Sequence, residues 1–131
     1  MADKNVQPFD IKAMEKWLEN FFLDPLTSYM DEIAFRVDIF ETETEIIVEA
    51  LLPGYERSHL SVYVEDNVLT ISANHKPNQE AYNHHTRTRK MEFPCSIINK
   101  QIHAVFQNGI LEVILSKTTP GTGKNRKIAI S

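Results

Sequence analysis

The sequence predicts an all-β domain, a sandwich of short antiparallel strands, with an amphipathic helix in front of it and a flexible polar tail behind it. Three observations carry that expectation. Between Phe35 and Leu115 apolar residues recur at every second position in short runs separated by turns of a few residues, which favours packed antiparallel sheets over a parallel sheet with crossover helices. Between Asp10 and Phe22 the apolar spacing is instead three and four, the period of a helix with one apolar stripe. Past Lys117 the chain turns to Thr118-Thr119-Pro120-Gly121-Thr122-Gly123, a composition that cannot build a core.

Each element has its own local reason. Ile11, Met14, Trp17, Leu18, Phe21 and Phe22 form the helical stripe, with Asp10 as N-cap and Asp24-Pro25 as the stop, because the residue before proline avoids helical geometry. A helix of about three turns is marginal alone in water, so its aromatic face needs a cover. That cover is either its own domain or another chain. Phe35, Val37 and Ile39 form the first strand, and Ile46 to Leu52 the second, closed by Pro53-Gly54. Leu60, Val62 and Val64 alternate up to the Glu65-Asp66-Asn67 turn, and Val68, Leu69 and Ile71 return from it. Residues 74–88 read as a long polar loop with a strand near Tyr82, followed by a strand through Met91 and Phe93 that stops at Pro94. Ile102, Ala104 and Phe106 lead into Asn108-Gly109, a strong hairpin turn because both positions tolerate positive φ, and Ile110 to Leu115 return. The chain divides into a helical flank at 1–33, a strand domain at 34–118 and a tail at 119–131 that ends on Ile128-Ala129-Ile130.

Composition narrows the function. With 131 residues, 42% apolar and 24% charged, the chain is one globular domain plus flanks. No apolar run approaches the roughly 18 residues of a membrane span, and the polar start around Asp3, Lys4 and Asp10 does not resemble a secretory signal. A cytoplasmic protein is expected. The net charge of −4 is distributed unevenly, acidic up to residue 73 and basic after it. Basic residues are too thinly spread for a nucleic-acid surface, and an acidic half facing a basic half fits self-association better.

The candidates for chemistry are weak. Gly123-Lys124 has Thr118 where a phosphate-binding loop needs its first glycine and Asn125 where it needs Ser or Thr. Neighbours on an extended segment point to opposite faces, so His84 and His85 do not share a metal readily. Cys95 cannot pair within the chain and looks like a packing residue after Phe93-Pro94. Glu41-Thr42-Glu43-Thr44-Glu45 reads as a solvated acidic turn. No enzyme, metal site or cofactor is expected.

Longer patterns point to a family. Arg36-Val37-Asp38-Ile39-Phe40-Glu41-Thr42, Glu49-Ala50-Leu51-Leu52-Pro53-Gly54 and Val64-Glu65-Asp66-Asn67-Val68-Leu69-Thr70-Ile71 resemble the first half of an α-crystallin domain. Ala104-Val105-Phe106-Gln107-Asn108-Gly109-Ile110-Leu111 is similar to the A-x-x-x-N-G-x-L signature of its second half, and Ile128-Ala129-Ile130 to the I-x-I tail motif. The chain thus resembles a small heat-shock protein of the Hsp20 family. Its flank from Met14 to Pro25 is also similar to that of small heat-shock-like proteins of the spore coat.

That resemblance implies an immunoglobulin-like sandwich, dimers that build larger oligomers, and ATP-independent holding of unfolding proteins; a structural role in a spore coat is the alternative. The partners it implies are further copies of the chain, unfolded clients and, in the second case, other spore coat proteins. Ile128 and Ile130 would dock in a neighbouring domain's groove, beside the strands of Leu60, Val62 and Val64 and of Ile102, Ala104 and Phe106. The 11 residues from Lys117 to Ile128 reach at most about 36 to 40 Å. Arg89, in Arg89-Lys90-Met91-Glu92-Phe93-Pro94, matches the arginine of the family's R-x-F-x-L-P segment and would serve a dimer interface. Trp17, Phe21 and Phe22 would contact clients or other subunits. The bacterial form of the fold usually exchanges a strand through a longer loop than the one here, so edge-to-edge pairing of strands stays open.

Overall fold

The computed structural model describes residues 11–74 and 86–131. The expectations for Asp10, for the strand near Tyr82 and for His84 and His85 lie outside the described residues. The chain runs through α1 (Ile11–Leu23), α2 (Pro25–Ile33), β1 (Val37–Glu41), β2 (Glu45–Leu51), a single 3-10 turn at Arg57–His59, β3 (Leu60–Glu65), β4 (Val68–Ala73), β5 (Arg87–Glu92), β6 (Lys100–Gln107), β7 (Ile110–Pro120) and β8 (Arg126–Ile128). Two four-stranded antiparallel sheets, ordered β1-β2-β7-β6 and β5-β4-β3-β8, face each other.

Alternation sets which side chains meet between the sheets. Ile46, Val48 and Ala50 of β2 are fully buried, as are Leu111, Val113 and Leu115 of β7, Val62 and Val64 of β3, and Leu69 and Ile71 of β4. Their sequence neighbours point outward, as a period of two requires. The β6–β7 hairpin turns on Asn108 (φ 55°) and Gly109 (φ 76°). A Cβ on residue 109 would meet Pro53 at an ordinary contact distance of 3.4 Å, so it is the positive φ rather than lack of space that favours glycine there.

Two elements differ from the sequence expectation. Asp24-Pro25 ends α1, but it also begins α2, which was not foreseen: Asp24 has extended φ/ψ, its carboxylate accepts from the Leu26 N–H at 2.9 Å, and Pro25 opens the helix. Proline suits a first helical position because its missing N–H would have had no intrahelical partner there. The second difference is at the other end. β7 does not stop near Leu115 but pairs as far as Pro120 against Lys100, and the tail expected to be flexible is hydrogen-bonded along much of its length. The Ser116 hydroxyl accepts from the N–H groups of Thr118 and Thr119, Gly121 and Gly123 donate to Asn99 O and Ile98 O, and Asn125 Oδ1 accepts from Asp66 N–H at 2.9 Å. Gly121 permits this path. A Cβ there would lie 2.2 Å from Lys100 O.

Candidate functional surface

The six groove residues inferred from sequence come together. β3 supplies Leu60, Val62 and Val64, and β6 supplies Ile102, Ala104 and Phe106; all but the half-buried Phe106 are buried. The chain's own C-terminal segment lies between these two strands. Ile128 meets β3 and Ile130 meets β6, so the structure places both isoleucines against their own domain rather than a neighbour's. β8 adds to β3 with Val62 opposite Ile128 and Val64 opposite Arg126, after which Ile130 bridges Ala104 in parallel fashion. Ser131 N–H donates to Ala104 O at 2.9 Å, and Phe106 N–H donates to Ser131 O at 3.0 Å. Ile128 is 6% exposed. Arg126 anchors the approach through Nη1 to Ile98 O at 2.8 Å and Nη2 to Lys100 O at 3.0 Å; partial burial lowers its pKa from the ordinary value.

The helical flank forms a second apolar feature. Met14 is fully buried, and Trp17 stacks on Phe93 with ring centroids 4.5 Å apart. Phe21 follows Trp17 at 5.7 Å and Phe22 meets Phe21 edge-on. Within the single chain the helix therefore packs on its own domain through Met14 and Trp17, while Phe22 is half exposed. The outer surface continues through Leu23, Leu26, Tyr29 and Ile33, each more than half exposed. Beneath it a cavity of about 410 Å³ opens between Trp17, Phe21, Leu26 and Met30 on one side and residues 88–92 of β5 on the other. Among the described residues β5 pairs only with β4.

Arg89 is buried on that strand. Its Nη1 donates to Asp31 Oδ1 at 2.6 Å and to Phe35 O at 2.7 Å, so the arginine expected at a dimer interface has internal partners. Nothing local in the sequence marks Asp31 as the partner of Arg89, which lies 58 residues away. A third feature is an acidic row on the outer face of the other sheet, where Asp38, Glu49 and Glu112 stand side by side on β1, β2 and β7. Partial desolvation, the hydrogen bond to Glu112, and the nearby charges of Glu112 and Asp38 raise the pKa of Glu49.

Among the described residues no cluster of three His, Cys, Asp or Glu could hold a metal ion. Cys95 is half buried just after Pro94, and Gly123-Lys124 lies in the turn before β8 rather than before a helix. No helix of the described residues is long and apolar enough to cross a membrane.

Residues 38–131 match the model of the Hsp20/alpha crystallin family. The chain belongs to that family. The family is that of the small heat-shock chaperones, which is not enzymatic. The chain is 30% identical to the 18 kDa heat shock protein of Clostridium acetobutylicum over 129 residues, covering 88% of this chain and 85% of that one. It is 27% identical to spore coat protein M of Bacillus subtilis over 112 residues, covering 84% and 78%. Heat shock protein 16.0 of Schizosaccharomyces pombe shares the fold with a TM-score of 0.51 at 26% identity, covering 72% of this chain and 96% of that one.

Proposed function

We propose that this protein is an ATP-independent holdase of the small heat-shock type, a cytoplasmic protein that forms dimers and larger oligomers and binds unfolding proteins. One observation carries the reading: the exposed apolar face from Phe22 to Ile33 lies beside an apolar cavity and a strand edge that is unpaired among the described residues. Apolar burial contributes about 25 cal/mol per Å² without directional demands, and an open edge offers main-chain hydrogen bonds to any extended segment. Together they favour clients by state, unfolded, rather than by sequence. Trp17, Phe21 and Phe22 are the client contacts in this reading.

Assembly uses the same surfaces. Ile128 and Ile130 leave their own groove and enter the equivalent one of a neighbour, where identical contacts await them. Pairing of β5 edges from two copies, which excludes a client segment from that edge while it lasts, brings Arg89 to the joint. Substoichiometric protein should suppress the light scattering of a heated model client without ATP; undiminished scattering would sink the holdase reading.

The likeness to spore coat protein M supports a second reading, a structural coat component that keeps the assembly and has lost most client binding. Its partners are other coat proteins. Persistent oligomers that fractionate with spores and suppress no aggregation would favour it.

A further inference from the structure

The arm formed by α1 and α2 is attached to the sandwich in two ways. α1 is held by apolar packing of Met14 and by the Trp17–Phe93 stack. α2 has less of this: Thr27 is its one buried residue, and Met30 packs half-buried against the core. Its polar attachment is concentrated at Asp31, whose Oδ1 accepts from Arg89 Nη1 at 2.6 Å and from Val37 N–H at 3.3 Å. Arg89 Nη1 also donates to Phe35 O. One carboxylate thus ties the end of α2 to β5 and to the start of β1. The pair is not an ordinary surface bridge, because the Arg89 side chain is 4% exposed and that of Asp31 28%. An exposed pair contributes little, whereas a buried guanidinium that loses its counter-charge is strongly disfavoured.

We propose that Asp31 and Arg89 form a latch that positions the arm over the β5 edge and so sets how much client-binding surface is open. Release of the latch moves α2 off β5 and opens the cavity faces of Trp17, Phe21 and Met30 and the flank of β5, while α1 stays seated on Phe93. Asp31 is a positioning residue: it acts through the arm and touches no client. The link to clients rests on the holdase reading; the attachment of the arm does not.

Asp31→Asn keeps the shape and removes the charge, while Asp31→Glu keeps the charge and changes the shape. Trp17 is the only tryptophan, so its emission reports on the arm. In Asp31→Asn the emission should shift to the red and the α2 amides should exchange about ten- to a hundredfold faster, with β3 and β4 unchanged; Asp31→Glu should stay within a few-fold of wild type. An Asn variant as tight as wild type, or a Glu variant as loose as the Asn variant, overturns the latch. If Asp31→Asn fails to fold, the wild type still decides: amides of α2 and of Val37 should exchange at one common rate, and unrelated rates overturn the proposal. Against a heated client, Asp31→Asn should suppress aggregation at a lower ratio than wild type. A freed arm without that gain overturns the latch as a control on client binding. A freed arm in a protein that holds no client, wild type included, supports the latch and sinks the holdase reading instead.

Discussion

Replacing both Ile128 and Ile130 by Ala should empty the groove between β3 and β6 while leaving the sandwich intact. Ile128 is 6% exposed and Ile130 half buried. Shortening a fully buried Ile to Ala costs about 2 to 5 kcal/mol, and an open groove that can close around the smaller side chain sits at the low end. Taking about 3 kcal/mol for the pair, the docked state weakens roughly 150-fold at 1.4 kcal/mol per tenfold. Two amides report it directly, because Ser131 N–H donates to Ala104 O and Phe106 N–H donates to Ser131 O. Hydrogen exchange at Phe106 and Ser131 should accelerate by about that factor if they open with the tail, whereas Val48 and Val113, paired between β2 and β7, keep their protection. Native mass measurement should show smaller oligomers with the dimer retained. Unchanged protection at Phe106 and Ser131 would refute the apolar anchoring of the tail. Dilution of the wild type adds a second reading: protection that persists belongs to the chain's own tail, and protection that fades belongs to a neighbour's.

Other substitutions test the rest of the structure. Phe93→Ala removes a ring that is 1% exposed and lies under Trp17; a loss of about 3 to 5 kcal/mol is expected, and thermal melting close to wild type would rule out the stack as the seat of α1. Gly121→Ala puts a methyl group 2.2 Å from Lys100 O and should destabilise by about 1 to 3 kcal/mol, loosening the end of β7 first, as read by exchange at the Gly121 N–H. Glu49→Gln tests the acidic row. The folded state raises the Glu49 pKa, so it holds the proton more tightly than the unfolded chain does, and stability falls as pH climbs from the unfolded value through the folded one. The Gln variant should therefore melt higher than wild type at pH 7 and lose that advantage in acid. The same difference at both pH values would exclude the carboxylate repulsion.

The strands were legible because their side chains keep a strict two-residue rhythm. Ile46, Val48 and Ala50 announce the buried face of β2 without any tertiary information, and Asn108-Gly109 announces the β6–β7 hairpin through its backbone preference. The second helix was also written locally, in Asp24-Pro25 and in Leu26, Met30 and Ile33, but a proline that ends one helix masked its role as the opening of the next. The Trp17–Phe93 stack and the Asp31–Arg89 pair were not legible. Each joins segments far apart in sequence, and nothing local fixes their separation or relative orientation. The tail shows the limit most clearly: chain length establishes that Ile128 can reach the groove, while its occupation by the same chain depends on the path through Gly121, Asn125 and Arg126.

The most direct test is hydrogen exchange on a complex with a heat-denatured client. A client held on the arm and the β5 edge should slow exchange at residues 17–33 and 87–92 and leave the β2–β7 pair unchanged. Protection confined to other surfaces, or no complex at all at substoichiometric client, would contradict a client site there.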